Sequence, residues 1–158
     1  MHSHKLIATL ALAVGLAAPT ALAASPAAAA TGSCLVELHD IDALNVAERD
    51  GHDELRFLVG GNLFPNNGWF SMSTNSDGDP NQFGFPSTVV SSTGTASFNL
   101  REVTPPWVNS GDSLGSVVAH GSVCAPLGPG DEDYEEDFIE GTDGTFYSYL
   151  VELKLTGL

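Results

Sequence analysis

Beyond residue 30, apolar and polar residues alternate with a period of two along much of the chain, a pattern that predicts strands. The longest run lies near the end. Tyr147, Tyr149, Val151, Leu153 and Leu155 alternate with Ser148, Leu150, Glu152 and Lys154, which predicts a long strand with one buried face. Ala96, Phe98 and Leu100 alternate with Ser97, Asn99 and Arg101, and Leu55, Phe57 and Val59 alternate around Arg56 and Leu58. Residues 35–41, 69–72, 114–123 and 137–140 are less regular strand candidates. Turn dipeptides lie between these runs: Asp50-Gly51, Asn67-Gly68, Asp77-Gly78 and Asp143-Gly144. The last sits between two strand candidates and predicts a hairpin. No stripe of period 3.6 exceeds two turns, and only residues 41–48 could form a short helix. Seven or eight short strands in ~125 residues read as a sandwich or a barrel. The expected fold is all-β, an antiparallel sandwich of about eight strands.

The first 30 residues read differently. A polar start (His2, His4, Lys5) precedes an apolar run from Leu6 to about Ala18. Small residues suited to a signal peptidase follow at Ala21-Leu22-Ala23 and Ala28-Ala29-Ala30. The run is shorter than the ~20 apolar residues of a membrane span, and Gly15 and Pro19 interrupt it. Residues 1–30 are therefore read as a signal peptide, cut near residue 23 or 30, and residues 31–158 as one domain. The expectation is a secreted, extracellular protein without a transmembrane segment in its mature chain. In an exported chain, Cys34 and Cys124 most simply form one disulfide.

Charge narrows the functions. The 158 residues hold 5 Lys+Arg and 20 Asp+Glu, a net charge of −15. Removing the leader leaves Arg49, Arg56, Arg101 and Lys154 against all 20 acids, a net charge of −16. Nucleic-acid binding needs clustered Lys and Arg, so no nucleic-acid partner is expected. The balance favours cationic partners, metal ions included.

Two segments carry a family resemblance. Gly51-His52-Asp53-Glu54-Leu55-Arg56-Phe57-Leu58-Val59 is similar to the turn into the third strand of the C2 domain, the calcium- and lipid-binding β-sandwich. Gly111-Asp112-Ser113-Leu114-Gly115-Ser116 resembles that family's acidic turn before an aliphatic residue and a glycine. Their order fits one C2-like domain over most of residues 34–155, as in small secreted actinobacterial proteins. The resemblance implies an eight-stranded sandwich and calcium ligands at Asp53 and Asp112, with Asp50 as a third. The pattern departs at Glu102-Val103-Thr104-Pro105-Pro106-Trp107-Val108-Asn109. There the family places a pair of acids, and this chain has one carboxylate and two prolines. Calcium takes six to eight oxygens, so the family's ligand set is incomplete.

Other segments have two readings. Gly111-Asp112-Ser113-Leu114-Gly115 also satisfies G-x-S-x-G, and its first four letters match the GDSL hydrolases. That chemistry needs a strand-to-helix elbow and a later histidine in the fold. His120 is the one histidine after Ser113, seven residues on, so a turn is expected and no enzyme. Asn75-Ser76-Asp77-Gly78-Asp79-Pro80-Asn81 places oxygen side chains at alternate positions, as calcium loops do, or is an Asx-rich turn. It adds Asp77 and Asp79 to the metal candidates. Asp131-Glu132-Asp133-Tyr134-Glu135-Glu136-Asp137 holds six carboxylates. It reads as a solvated loop, with a cation site or a landing patch for a basic partner as the alternative. His39, His52 and His120 lie on separate segments. Trp69, Phe70, Trp107 and residues 83–85 read as core and turn packing, or as a sugar platform. Residues 60–69 read as a long exposed loop of the kind that carries function.

The functional expectation is a secreted, non-enzymatic binding module for a protein or glycan partner, stabilised by calcium at acidic loops. Asp50, Asp53, Asp77, Asp79 and Asp112 are the candidate ligands. The alternative is a secreted inhibitor or toxin-like effector that meets a protein target through an exposed loop.

Overall fold

The computed structural model describes residues 32–106, 109–142 and 144–158. The expected signal peptide (1–30), Trp107 and Asp143 lie outside the described residues. The described elements are β1 (Ser33–Asn45), β2 (His52–Val59), β3 (Asn62–Phe64), β4 (Phe70–Ser73), β5 (Ser76–Gly78), β6 (Ser87–Ser91), β7 (Thr95–Glu102), β8 (Asp112–His120), α1 (Gly121–Cys124), β9 (Glu132–Gly141) and β10 (Tyr147–Gly157).

Two antiparallel sheets pack face to face. In one, β1 pairs with β10 and β10 with β9, while β5 and β6 share the other edge of β1. In the other, β2 pairs with β7 and β7 with β8, while β3 and β4 share the other edge of β2. Each sheet thus has four columns, so the ten described strands fill eight positions of the expected antiparallel sandwich.

Alternation sends one face of each strand inward. Val36, Leu38, Ile41 and Ala43 of β1 meet Leu55, Phe57 and Val59 of β2, Phe98 and Leu100 of β7, and the odd residues of β10 from Tyr149 to Leu155. Burying such a side chain contributes about 1.5–3 kcal/mol. Phe57 sits edge-on to Phe83 and Phe98, at 5.2 and 6.4 Å between ring centres. The register of β1 against β10 shifts between Leu38 and Asp40. This bulge absorbs His39, so Ile41 and Ala43 still face the core.

Several local expectations are corrected. Residues 41–48 are not a helix: β1 continues to Asn45 because Ile41 and Ala43 pair with β10 and β5. Residues 114–123 are not all strand. β8 stops at His120, and Cys124 lies on α1, so the Cys34–Cys124 disulfide ties the first described strand to a helical turn. Asp77-Gly78 is not a turn but most of β5. The chain reverses instead at Thr74-Asn75, where Asn75 takes φ 64°. Residues 60–69 are only partly a loop. Gly60 and Gly61, both at positive φ, turn β2 into β3. The acidic run is not a loop either. It forms most of the edge strand β9, held by ten register partners on β10.

Candidate functional site

One end of the sandwich gathers the loop 46–51, the end of β7, the start of β8 and the loop before β10. Asp53 organises it from below. It is fully buried. Its Oδ2 accepts the Ala47 amide at 2.7 Å and its Oδ1 accepts the Glu48 amide at 2.8 Å. The Tyr149 hydroxyl also donates to Oδ2. A carboxylate accepting several donors fixes backbone firmly, and here it fixes Glu48. Thr145 ties the neighbouring loop to the same segment: its amide and its hydroxyl both donate to the Ala47 carbonyl, at 3.0 and 2.9 Å.

Two arginines on β2 and β7 tie down the neighbouring loops through backbone carbonyls. Arg56, 2% exposed, donates to the carbonyls of Asn109 at 2.8 Å and Pro65 at 2.9 Å. Arg101 donates to the carbonyls of Ser110 and Gly111. Between Leu100 and Arg101 the register with β8 slips by one residue, and the extra residue is Leu114. The Leu114 carbonyl accepts the Tyr147 hydroxyl at 2.7 Å.

At this end of the sandwich lies an open cavity of about 580 Å³. Glu48, Asp50, Glu102 and Asp112 supply its acids, and Leu114 is among its apolar lining. Glu48, Glu54 and Glu102 converge beside it, with carboxylate oxygens within 4.8 Å of one another. Glu102 Oε1 is shut off from solvent and has no hydrogen-bond partner among the described residues. Burial, then the charge of Glu48 and a hydrogen bond shared with it, push the Glu102 carboxyl up to about 7. Glu54 is raised too, by burial first and then by Glu48, Asp50 and Asp53. Arg49 borders the cavity, yet among the described residues no ion pair joins a basic side chain to any of the three glutamates.

A second cluster lies on the outer face of the β1 sheet. Asp40, Asp42 and Asp77 bring carboxylate oxygens within 4.8 Å of one another. Burial, then hydrogen bonding and repulsion from Asp77, raises Asp40 to about 6.

The ligands expected from sequence fall in different places. Asp50 and Asp112 line the cavity, and Asp53 lies beneath it with both oxygens engaged by the protein. Asp77 joins the second cluster, and Asp79 follows β5 in the next loop. The alternating segment 75–81 therefore does not wrap one centre, since its first half is drawn into β5. No motif in the sequence marks Glu48, Glu54 and Glu102 as a set. Their meeting depends on the register Leu55↔Glu102 between β2 and β7, which no local pattern encodes.

Ser113 lies on β8, where its hydroxyl accepts the Asn99 side-chain amide at 2.6 Å. His120 stands at the far end of the same strand, about 23 Å away at ~3.3 Å per residue, so no hydrolase elbow forms. The three histidines also stay apart: His39 meets the Tyr134 ring, His52 the Ser73 hydroxyl and His120 Glu135. Phe83 is fully buried and Phe85 is 65% exposed, so residues 83–85 form no continuous platform. Among the described residues no helix is long and apolar enough to cross a membrane.

No protein-family model and no curated protein matches the chain. Several solved structures are similar in fold, among them two that contain C2 domains. The first C2 domain of plant extended synaptotagmin 1 is 11% identical at a TM-score of 0.47, covering 80% of this chain and 94% of that one. The paired C2 domains of extended synaptotagmin 2 are 15% identical at a TM-score of 0.49, covering 93% of this chain and 48% of that one. Neither TM-score reaches 0.5, so the fold rests on the chain's own two sheets and the site on its own residues.

Proposed function

We propose that the protein is a secreted, non-enzymatic binding module that takes up a divalent cation at the carboxylate-lined cavity. One observation carries this reading: Glu48, Glu54 and Glu102 converge with no basic side chain paired to them among the described residues, and one buried oxygen of Glu102 is left without a hydrogen-bond partner. Three carboxylates offer six hard oxygens at most, a donor set that suits calcium rather than a soft metal. Glu48, Glu54 and Glu102 are the ligands, and Asp50 and Asp112 add negative potential at the mouth. Asp53 acts as a positioning residue, holding the loop that carries Glu48. A bound ion would replace mutual repulsion with attraction and so stabilise this end of the fold.

The test is a thermal melt of the mature protein in EDTA and then in millimolar calcium. At 100 times its dissociation constant a ligand adds about 2.7 kcal/mol, which raises the midpoint of such a domain by several degrees. The wild type should show this rise and Glu102→Gln should lose it. No rise in the wild type would leave the cavity as a solvated acidic cleft.

A further inference from the structure

The outward faces of the two sheets differ in chemistry. On the β2 sheet the outward row pairs Ser97 with Val118, Asn99 with Ser116 and Arg101 with Ser113. On the β1 sheet the register sets like charges opposite one another. Glu136 of β9 faces Glu152 of β10, which faces Asp40 of β1. One step along, Asp42 faces Asp77 of β5. Like charges directly opposite destabilise a sheet.

These acids are not the ones that guard the edge. β9 is an edge strand, and Asp133 and Asp137 accept the amides of Tyr134 and Phe138, each at 2.8 Å. Glu135 accepts the His120 amide at 2.8 Å. That work blunts the edge against other strands and does not involve the row through Glu136, Glu152 and Asp40. Within that row, Glu152 meets a half-exposed imidazole, His39, at 3.8 Å. Lys154, on the same face, is already shared by Glu37 and Glu132. Interleaved with the acids, Tyr134 and Phe138 are 44% and 52% exposed.

We propose that this face is a docking surface for a cationic segment of a partner protein, rich in arginine or lysine. The row of carboxylates receives its charges, and the Tyr134 and Phe138 rings receive its aliphatic stems and guanidinium planes. Charge complementarity selects this occupant. Carboxylates in excess repel anionic lipid and nucleic acid, whereas arginine pairs carboxylates in a fork and stacks on rings. Exposed aromatics set among polar groups act as anchors at protein interfaces. The surface is separate from the cation cavity and needs no metal.

The probe is fluorescently labelled deca-arginine, titrated in EDTA at moderate salt and followed by anisotropy. The wild type should bind. Glu136→Gln with Glu152→Gln should weaken binding roughly tenfold, about 1.4 kcal/mol, while folding at least as stably because repulsion is relieved. Phe138→Ser should weaken it about threefold. Asp79→Asn with Asp131→Asn removes the same charge elsewhere and should stay within about twofold. Equal weakening by the two double variants would overturn the proposal in favour of diffuse attraction. Absence of wild-type binding would also overturn it. So would adsorption to phosphatidylcholine vesicles in place of the peptide.

Discussion

The Tyr149 hydroxyl crosses the sandwich to donate to the Asp53 carboxylate, joining β10 of one sheet to β2 of the other in a site closed to solvent. That carboxylate also receives the Ala47 and Glu48 amides. One buried group thus links the two sheets and sets the loop that borders the cavity. Burial, then the bond to Asp53, raises the tyrosine far above its ordinary range, so it stays a donor at any working pH.

Tyr149→Phe should therefore cost about 1–3 kcal/mol, the penalty for leaving a buried acceptor short of a donor. Urea unfolding would measure it. Hydrogen exchange should also show the Ala47 and Glu48 amides losing protection more than those of β7.

Without added metal, the protein should lose stability as pH rises. Asp40 and Glu102 are raised from 3.8 to about 6 and from 4.5 to about 7. The folded state binds these protons more tightly than the unfolded chain. Between the unfolded and folded values, stability falls as pH increases. The contribution is full below the unfolded values and is lost as pH passes about 6 and about 7. Melting in EDTA should give a higher midpoint at about pH 5 than at about pH 8, and Asp40→Asn should flatten part of that slope. A midpoint that rises over that range would contradict it.

The disulfide closes a separation of 90 residues between Cys34 and Cys124. Chain entropy assigns such a closure ~4–5 kcal/mol. Replacing both cysteines by alanine should lower the urea midpoint accordingly, with no change in the far-ultraviolet spectrum below the transition.

Gly111 takes φ 69°, and an added Cβ would meet the Glu102 carbonyl oxygen at 2.2 Å. Gly111→Ala should therefore destabilise the protein and displace the end of β7, whereas Gly130→Ala, with open space around its Cβ, should cost only the backbone strain of its positive φ. Comparative melts would separate the two.

The sandwich is legible in the sequence because alternation reports burial directly, as in Leu55, Phe57 and Val59 or Tyr149 to Leu155. The disulfide is legible because two cysteines allow one pairing. Strand ends are harder. Residues 41–45 have mixed propensity, and it is pairing with β10 and β5 that makes them strand. The run of acids at 131–137 reads as loop because it carries no alternation of apolar and polar residues, and it is pairing with β10 that makes it strand. The site is half legible. Asp50 and Asp112 line the cavity, but the meeting of Glu48, Glu54 and Glu102 depends on a loop fold and a strand register that no short motif records.

The most direct test is calorimetric titration of calcium into the metal-free mature protein, beside Glu102→Gln and Asp77→Asn. Saturable calcium binding is expected in the wild type, with loss of it in Glu102→Gln and retention in Asp77→Asn. Heat no greater than dilution in the wild type, or unchanged binding in Glu102→Gln, would contradict that expectation.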